Sequence, residues 1–190
     1  MKKRVILVGK SGAGKDYARK IFENIIGGKY AVSYTTRPAR ESEVDGKDYH
    51  FIPVRTFNKM INEGLWYEWV EFNGWMYGTS KKQFYGDCFT FIMTPKGLSH
   101  LSKEDRDESC VIYFNIEESV RKVRMMERQG NADSVDRRIE ADRIDFESYN
   151  DYDYIITNPE YRVDDMIEIA RQIATKPIDV VQKTKNKYLI

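Results

Sequence analysis

An apolar run, Val5-Ile-Leu-Val8, leads directly into Gly9-Lys-Ser-Gly-Ala-Gly-Lys15-Asp16, and a plausible helix, Tyr17-Ala-Arg-Lys-Ile-Phe22, follows. Strand, glycine loop closing on a lysine, helix: this order constrains the chain more than any other feature. Glycines let consecutive N–H groups turn inward, and the helix presents its positive end to an anion, so phosphate is the expected guest. The loop is a P-loop in its proper context. It predicts that Gly9, Ser11, Gly12, Ala13 and Gly14 cradle a nucleotide's phosphates while Lys15 reaches the β- and γ-phosphates. The next position normally holds a Ser or Thr that helps bind Mg²⁺; here it is Asp16, a carboxylate that binds the same ion directly or through water.

A chain of 190 residues suits one domain with a well-buried core, and 13% aromatic content supplies large side chains for it. With 31 Lys+Arg against 30 Asp+Glu the net charge is +1, so phosphate attraction has to come from local clusters, and wholesale nucleic-acid binding is not expected. Cys88 and Cys110 lie in apolar runs, as reduced, buried thiols would. The N-terminal apolar run is too short for a signal peptide or membrane span. A soluble, cytoplasmic protein without a membrane partner is the expectation.

In chain order, the sequence predicts a strand over residues 3–8, a helix over 15–26 and a strand over 30–36. An irregular segment through residue 51 then carries Arg37 and Arg40. Two arginines three residues apart form a fork for a second phosphate, with Tyr49 adding a hydroxyl, although alone such a stretch would read as a solvated charged loop. A helix over 54–64 precedes a strand over 65–72, in which Glu68 shares a face with Trp66, Val70 and Phe72. A carboxylate on an apolar face needs an internal ion pair, an exposed edge, or a ligand with matching donors, such as the N1–H and exocyclic amine of guanine. Asn73-Gly74 turns into another strand through residue 80.

Residues 87–93 read as a central parallel strand, 95–101 as a helix starting on Pro95, 102–108 as a polar stretch and 110–114 as a strand. In the helix over 117–129, Val120, Val123 and Met126 fall on one side and Arg121, Arg124 and Arg128 on the other. Gly130-Asn131 breaks it. The helix over 134–149 is expected to pack through Val135, Ile139, Phe146 and Tyr149, with its arginines outward. A strand over 152–158 and a helix over 163–174 close the pattern, and the tail, 176–190, receives no function. Strands alternating with helices predict a three-layer α/β/α fold with a parallel core sheet, interrupted by a small mixed insertion over residues 33–85.

The stretch from Ser33-Tyr-Thr-Thr-Arg37 to Tyr49-His-Phe51 resembles the guanylate kinase signature, and Glu68-Trp-x-x-Phe-x-Gly-x-x-Tyr77-Gly-Thr79 resembles the rest of that family's GMP-binding region. The resemblance covers about residues 3–172. It implies that Arg37, Arg40, Tyr49 and Tyr77 bind the GMP phosphate, that Ser33, Glu68 and Thr79 read guanine, and that Asn158 lies near adenine. It also implies a helical lid over residues 125–140 whose Arg128 and Arg138 meet the transferring phosphoryl group. Gln129 alters the local spacing, which makes Arg124 a rival for the first of these. The implied reaction passes the γ-phosphoryl of ATP to GMP or dGMP with Mg²⁺. The core would comprise residues 1–32, 86–124 and 141–175.

One departure stands out. With Gly97 aligned, Ile92 and Thr94 occupy positions where the family carries aspartates, and Asp16 is expected to take over some of the metal's electrostatic support. Two other readings compete: a ribose 1,5-bisphosphate kinase, similar in its Gly-Lys-Asp loop end but needing no base pocket, and a non-catalytic guanylate-kinase-like module, which typically lacks the P-loop.

Overall fold

The computed structural model describes residues 4–26, 28–72, 74–127, 134–175 and 188–189. Strand β1 (Arg4–Gly9) is buried along its whole length. It runs between β7 (Cys88–Ile92) and β8 (Ser109–Phe114) in a six-stranded sheet completed by β2 (Lys29–Tyr30), β9 (Tyr154–Ile156) and β10 (Tyr188–Leu189). The order is β10-β9-β8-β1-β7-β2, every pair parallel.

Strand alternation sends neighbouring residues of β1 to opposite faces. Val5 and Leu7 pack with Phe22 of α1 (Lys15–Ile26) and Met166 of α8 (Val163–Thr175). Ile6 and Val8 pack with Leu98 of α4 (Pro95–Leu98) and Phe146 of α7 (Val135–Phe146). The predicted α/β/α layering follows directly. The P-loop emerges at the carboxyl end of β1, between its two neighbours, where open parallel sheets leave a crevice for ligands.

The insertion forms its own mixed sheet, β4-β3-β6-β5, from β3 (Tyr34–Thr35), β4 (His50–Phe51), β5 (Trp66–Phe72) and β6 (Trp75–Ser80). The single strand expected over residues 30–36 is therefore two. Tyr30 pairs with β7 in the core sheet, and Tyr34 pairs with Gly78 and His50 in the insertion. Alternation is a local signal and does not reveal that a strand changes sheets. Phe57 of α2 (Val54–Asn62) stacks on Trp66 at 4.3 Å between ring centroids, and a Cβ on Gly78 would meet the Trp66 ring at 3.0 Å. A short helix α3 (Lys81–Phe84) begins with a capping box between Ser80 and Gln83.

Two further expectations change. The polar stretch 102–108 contains α5 (Lys103–Asp107), capped by Ser102, whose hydroxyl accepts from Asp105 N at 3.1 Å. In α6 (Glu118–Met126) the inward residues are Arg121 and Met125, while Val123 and Met126 are exposed. Arg121 reverses the expected phase because it meets a buried acid on α7. Among the described residues no helix is long and apolar enough to cross a membrane.

Candidate active site

The P-loop needs its glycines. Gly12 and Gly14 adopt φ of +76° and +93°, where side chains are disfavoured, and a Cβ on Gly14 would meet the Tyr161 hydroxyl at 2.7 Å. That hydroxyl donates to Gly14 O at 2.7 Å. Lys15 Nζ folds back onto the loop, donating to Gly9 O and to Lys10 O. Asp16 opens α1 with an exposed carboxylate, 3.8 Å from Arg19 Nε.

Across the same cleft stand Ser33, Arg37, Arg40, Tyr49, Glu68 and Tyr77, so one concavity is lined by the loop at one end and by the insertion at the other. Arg138 lines it too, facing inward although the helix's arginines were expected outward. Arg37 and Arg40 converge on one acid that the sequence reading passed over. Glu43 Oε1 accepts from Arg37 Nη2 at 2.7 Å and from Arg40 Nη1 at 3.1 Å, while Oε2 accepts from Arg40 N at 2.8 Å. Burial would raise the Glu43 carboxyl, but the Arg37 hydrogen bond and the Arg40 N–H hold it below the usual range. Its spacing, an acid three residues beyond the second arginine, was the available signal. Tyr49 meets Tyr77 edge-on at 6.0 Å, and the Arg37 guanidinium lies 5.4 Å from the Tyr49 ring.

Glu68 is 6% exposed on the inner face of β5. Among the described residues no cation lies within ion-pair distance of it. Its donors are the side chain and backbone N–H of Thr79, which is itself buried, and burial outweighs them, pushing the carboxyl up to about 7. Of the alternatives open to this acid in the sequence, no internal ion pair forms among the described residues, and although β5 is the edge strand of its sheet, Glu68 is buried there rather than exposed. A buried acceptor facing a cleft is suited to a ligand that brings two donors.

Comparison with known proteins agrees with this geometry. The family model described as guanylate kinase matches residues 1–176. A guanylate kinase of Geobacter metallireducens is 34% identical over 168 residues, covering 82% of this chain and 80% of that protein. One from onion yellows phytoplasma is 33% identical, covering 82% and 78%. This chain belongs to the guanylate kinase family. A solved guanylate kinase from Anaplasma phagocytophilum superposes with a TM-score of 0.66 at 25% identity, covering 93% of this chain and 89% of that one.

Within that family fold, Ile92 and Thr94 both line the cleft. Thr94 keeps a polar task as the N-cap of α4, its hydroxyl accepting from Gly97 N at 3.0 Å. Gly97 then packs so closely that a Cβ there would meet Glu68 Oε2 at 2.8 Å. Asn158 is exposed and outside the cleft lining, and its Oδ1 accepts from Glu160 N at 2.9 Å. Arg128 lies outside the described residues. Arg124, its rival, donates to Pro159 O at 2.6 Å.

Mg²⁺ typically keeps several waters and takes one or two carboxylates together with substrate phosphates. Among the described residues no group of three His, Cys, Asp or Glu forms a metal cage. A single exposed carboxylate, Asp16, at the end of a phosphate loop fits a metal that arrives with its nucleotide.

Proposed function

We propose that this guanylate kinase family member transfers the γ-phosphoryl of ATP to GMP or dGMP, giving ADP and GDP or dGDP. The observation that carries the reading is Glu68: among the described residues it has no cation partner, and it is buried in the cleft that the P-loop also lines. Guanine brings the two donors this acid lacks, and the phosphate of the same acceptor reaches the Arg37–Arg40 fork and the Tyr49 and Tyr77 hydroxyls. Ser33 and Thr79 complete the base site. The loop amides from Gly9 to Gly14 hold the donor, and Lys15 swings from its carbonyl partners to the β- and γ-phosphates. Asn158 is assigned to the adenine side.

Phosphoryl transfer passes through a loose, charge-rich transition state, so alignment and fixed positive charge suffice and no covalent nucleophile is required. Lys15, Arg138 and Arg128 supply that charge from this chain. Asp16 would hold Mg²⁺, which would supply positive charge to offset that of the phosphates. The division of labour is a core of residues 1–32, 86–124 and 141–175, an acceptor insertion at 33–85 and a lid at 125–140, in a cytoplasmic enzyme.

A coupled assay of ADP production with GMP, dGMP, AMP, CMP, UMP and ribose 1,5-bisphosphate tests this. The guanine nucleotides are expected to lead in kcat/KM by on the order of hundredfold, because a site built for a donor pair rejects analogues that leave its acceptor unpaired. Preference for ribose 1,5-bisphosphate, or nucleotide binding without ADP formation, would replace the reading with one of its two rivals.

A further inference from the structure

Ser11 is gripped from outside the P-loop at three atoms. Its N–H donates to Asp142 Oδ2 at 2.8 Å, its hydroxyl donates to Oδ1 at 3.3 Å, and its carbonyl accepts from Arg121 Nη1 at 3.1 Å. Arg121 and Asp142 meet each other at 3.1 Å, each 2% exposed, and Arg121 Nε donates to Ile116 O at 3.0 Å.

Stability alone is a weak reason for such a pair, because well-packed apolar residues commonly replace a buried ion pair at no cost. Its placement offers a better one. Arg121 is on α6 and Asp142 on α7, so a single contact ties both helices to the loop. Residues four apart share a helix face, and Arg138, four before Asp142, lines the same cleft. The rotation of α7 that seats Asp142 on Ser11 is therefore the rotation that turns Arg138 inward.

We propose that the Arg121–Asp142 pair pins α6 and α7 to Ser11 and thereby sets Arg138 for phosphoryl transfer, making Arg121 and Asp142 positioning residues. The inference rests on the kinase reading above, and the two fail differently. If that reading is wrong, the unaltered protein forms no ADP with GMP; if the pin is wrong, the unaltered protein is active and its variants are indifferent.

The test compares Asp142→Ala, Asp142→Asn and the double variant Arg121→Leu/Asp142→Ala. Each is assayed at a temperature where circular dichroism shows it folded, with kcat, KM for GMP and melting temperature read on all three. Asp142→Ala is expected to lose about ten- to hundredfold in kcat with GMP KM unchanged, since small misplacements of a charge-stabilising group have effects of this size. Asp142→Asn retains an oxygen for the Ser11 N–H and should recover part of that loss. The double variant should regain melting temperature without regaining kcat. If kcat recovers along with melting temperature, the pair is only structural and the proposal falls. Should the double variant fail to fold, equal kcat losses in Asp142→Ala and Asp142→Asn overturn it, and a graded loss supports it.

Discussion

Burial pushes the Glu68 carboxyl up to about 7, against an ordinary value of 4.5, and the Thr79 donors recover only part of that shift. A folded-state value above the unfolded one means the fold favours the proton. The stabilisation this gives is fully present below the unfolded value and is lost as pH rises through 7, by about 3 kcal/mol in all. At the proposed base site, guanine's donors would act in the opposite sense, because they would hold the ionised form. GMP is therefore expected to tighten about tenfold per pH unit up to 7 and then level off, with proton release on binding. Isothermal titration across pH 5.5–8.5 checks this, with Glu68→Gln as the control, since the nucleotide phosphate itself titrates near pH 6. Glu68→Gln should bind GMP weakly and retain only the phosphate's pH dependence; an unchanged profile would remove Glu68 from base recognition. Glu68 was legible in the sequence because strand alternation is a local signal that put an acid among apolar neighbours. Glu43 lay within the recognised motif, but only the fold reveals that it bridges both arginines.

At the level of elements, short connections and caps place the cleft's walls. Helix α4 is four residues long, begins on Pro95 and relies on the Thr94 hydroxyl for its cap, and its Gly97 lies against Glu68. Gly97→Ala puts a Cβ 2.8 Å from Glu68 Oε2, and a buried carboxylate has little room to yield. The expected result is a GMP KM raised about tenfold with ATP KM unchanged, on the scale of a small shift at a positioned group. An unchanged GMP KM would mean that Glu68 moves without consequence. Most elements could be read from the chain because their signals are periodic: β1, α1, β6 and α8 match their expected spans within about two residues. Helix α6 could not be phased, because Arg121 points inward to an acid 21 positions away, and no local pattern encodes that partner. Helix α5 escaped notice because its sequence, Lys-Glu-Asp-Arg-Asp, has no apolar face, and only the Ser102 cap marks its start.

At the scale of the whole molecule, a net charge of +1 leaves the surface field weak, so the two anionic substrates of the proposed reaction would have to be drawn in by concentrated sites. The parallel sheet supplies one at the end of β1, the inserted sheet supplies the other, and both line one cleft. The two nucleotides are expected to lie end to end in that cleft, phosphate toward phosphate. A single molecule joining adenosine to guanosine through five phosphates spans both sites at once and carries no separate entropy cost for the second half. Its titration into the protein is the most direct measurement. One molecule is expected to bind per chain, on the order of hundredfold more tightly than either ATP or GMP alone. Binding no tighter than one nucleotide, or two molecules per chain, would contradict it.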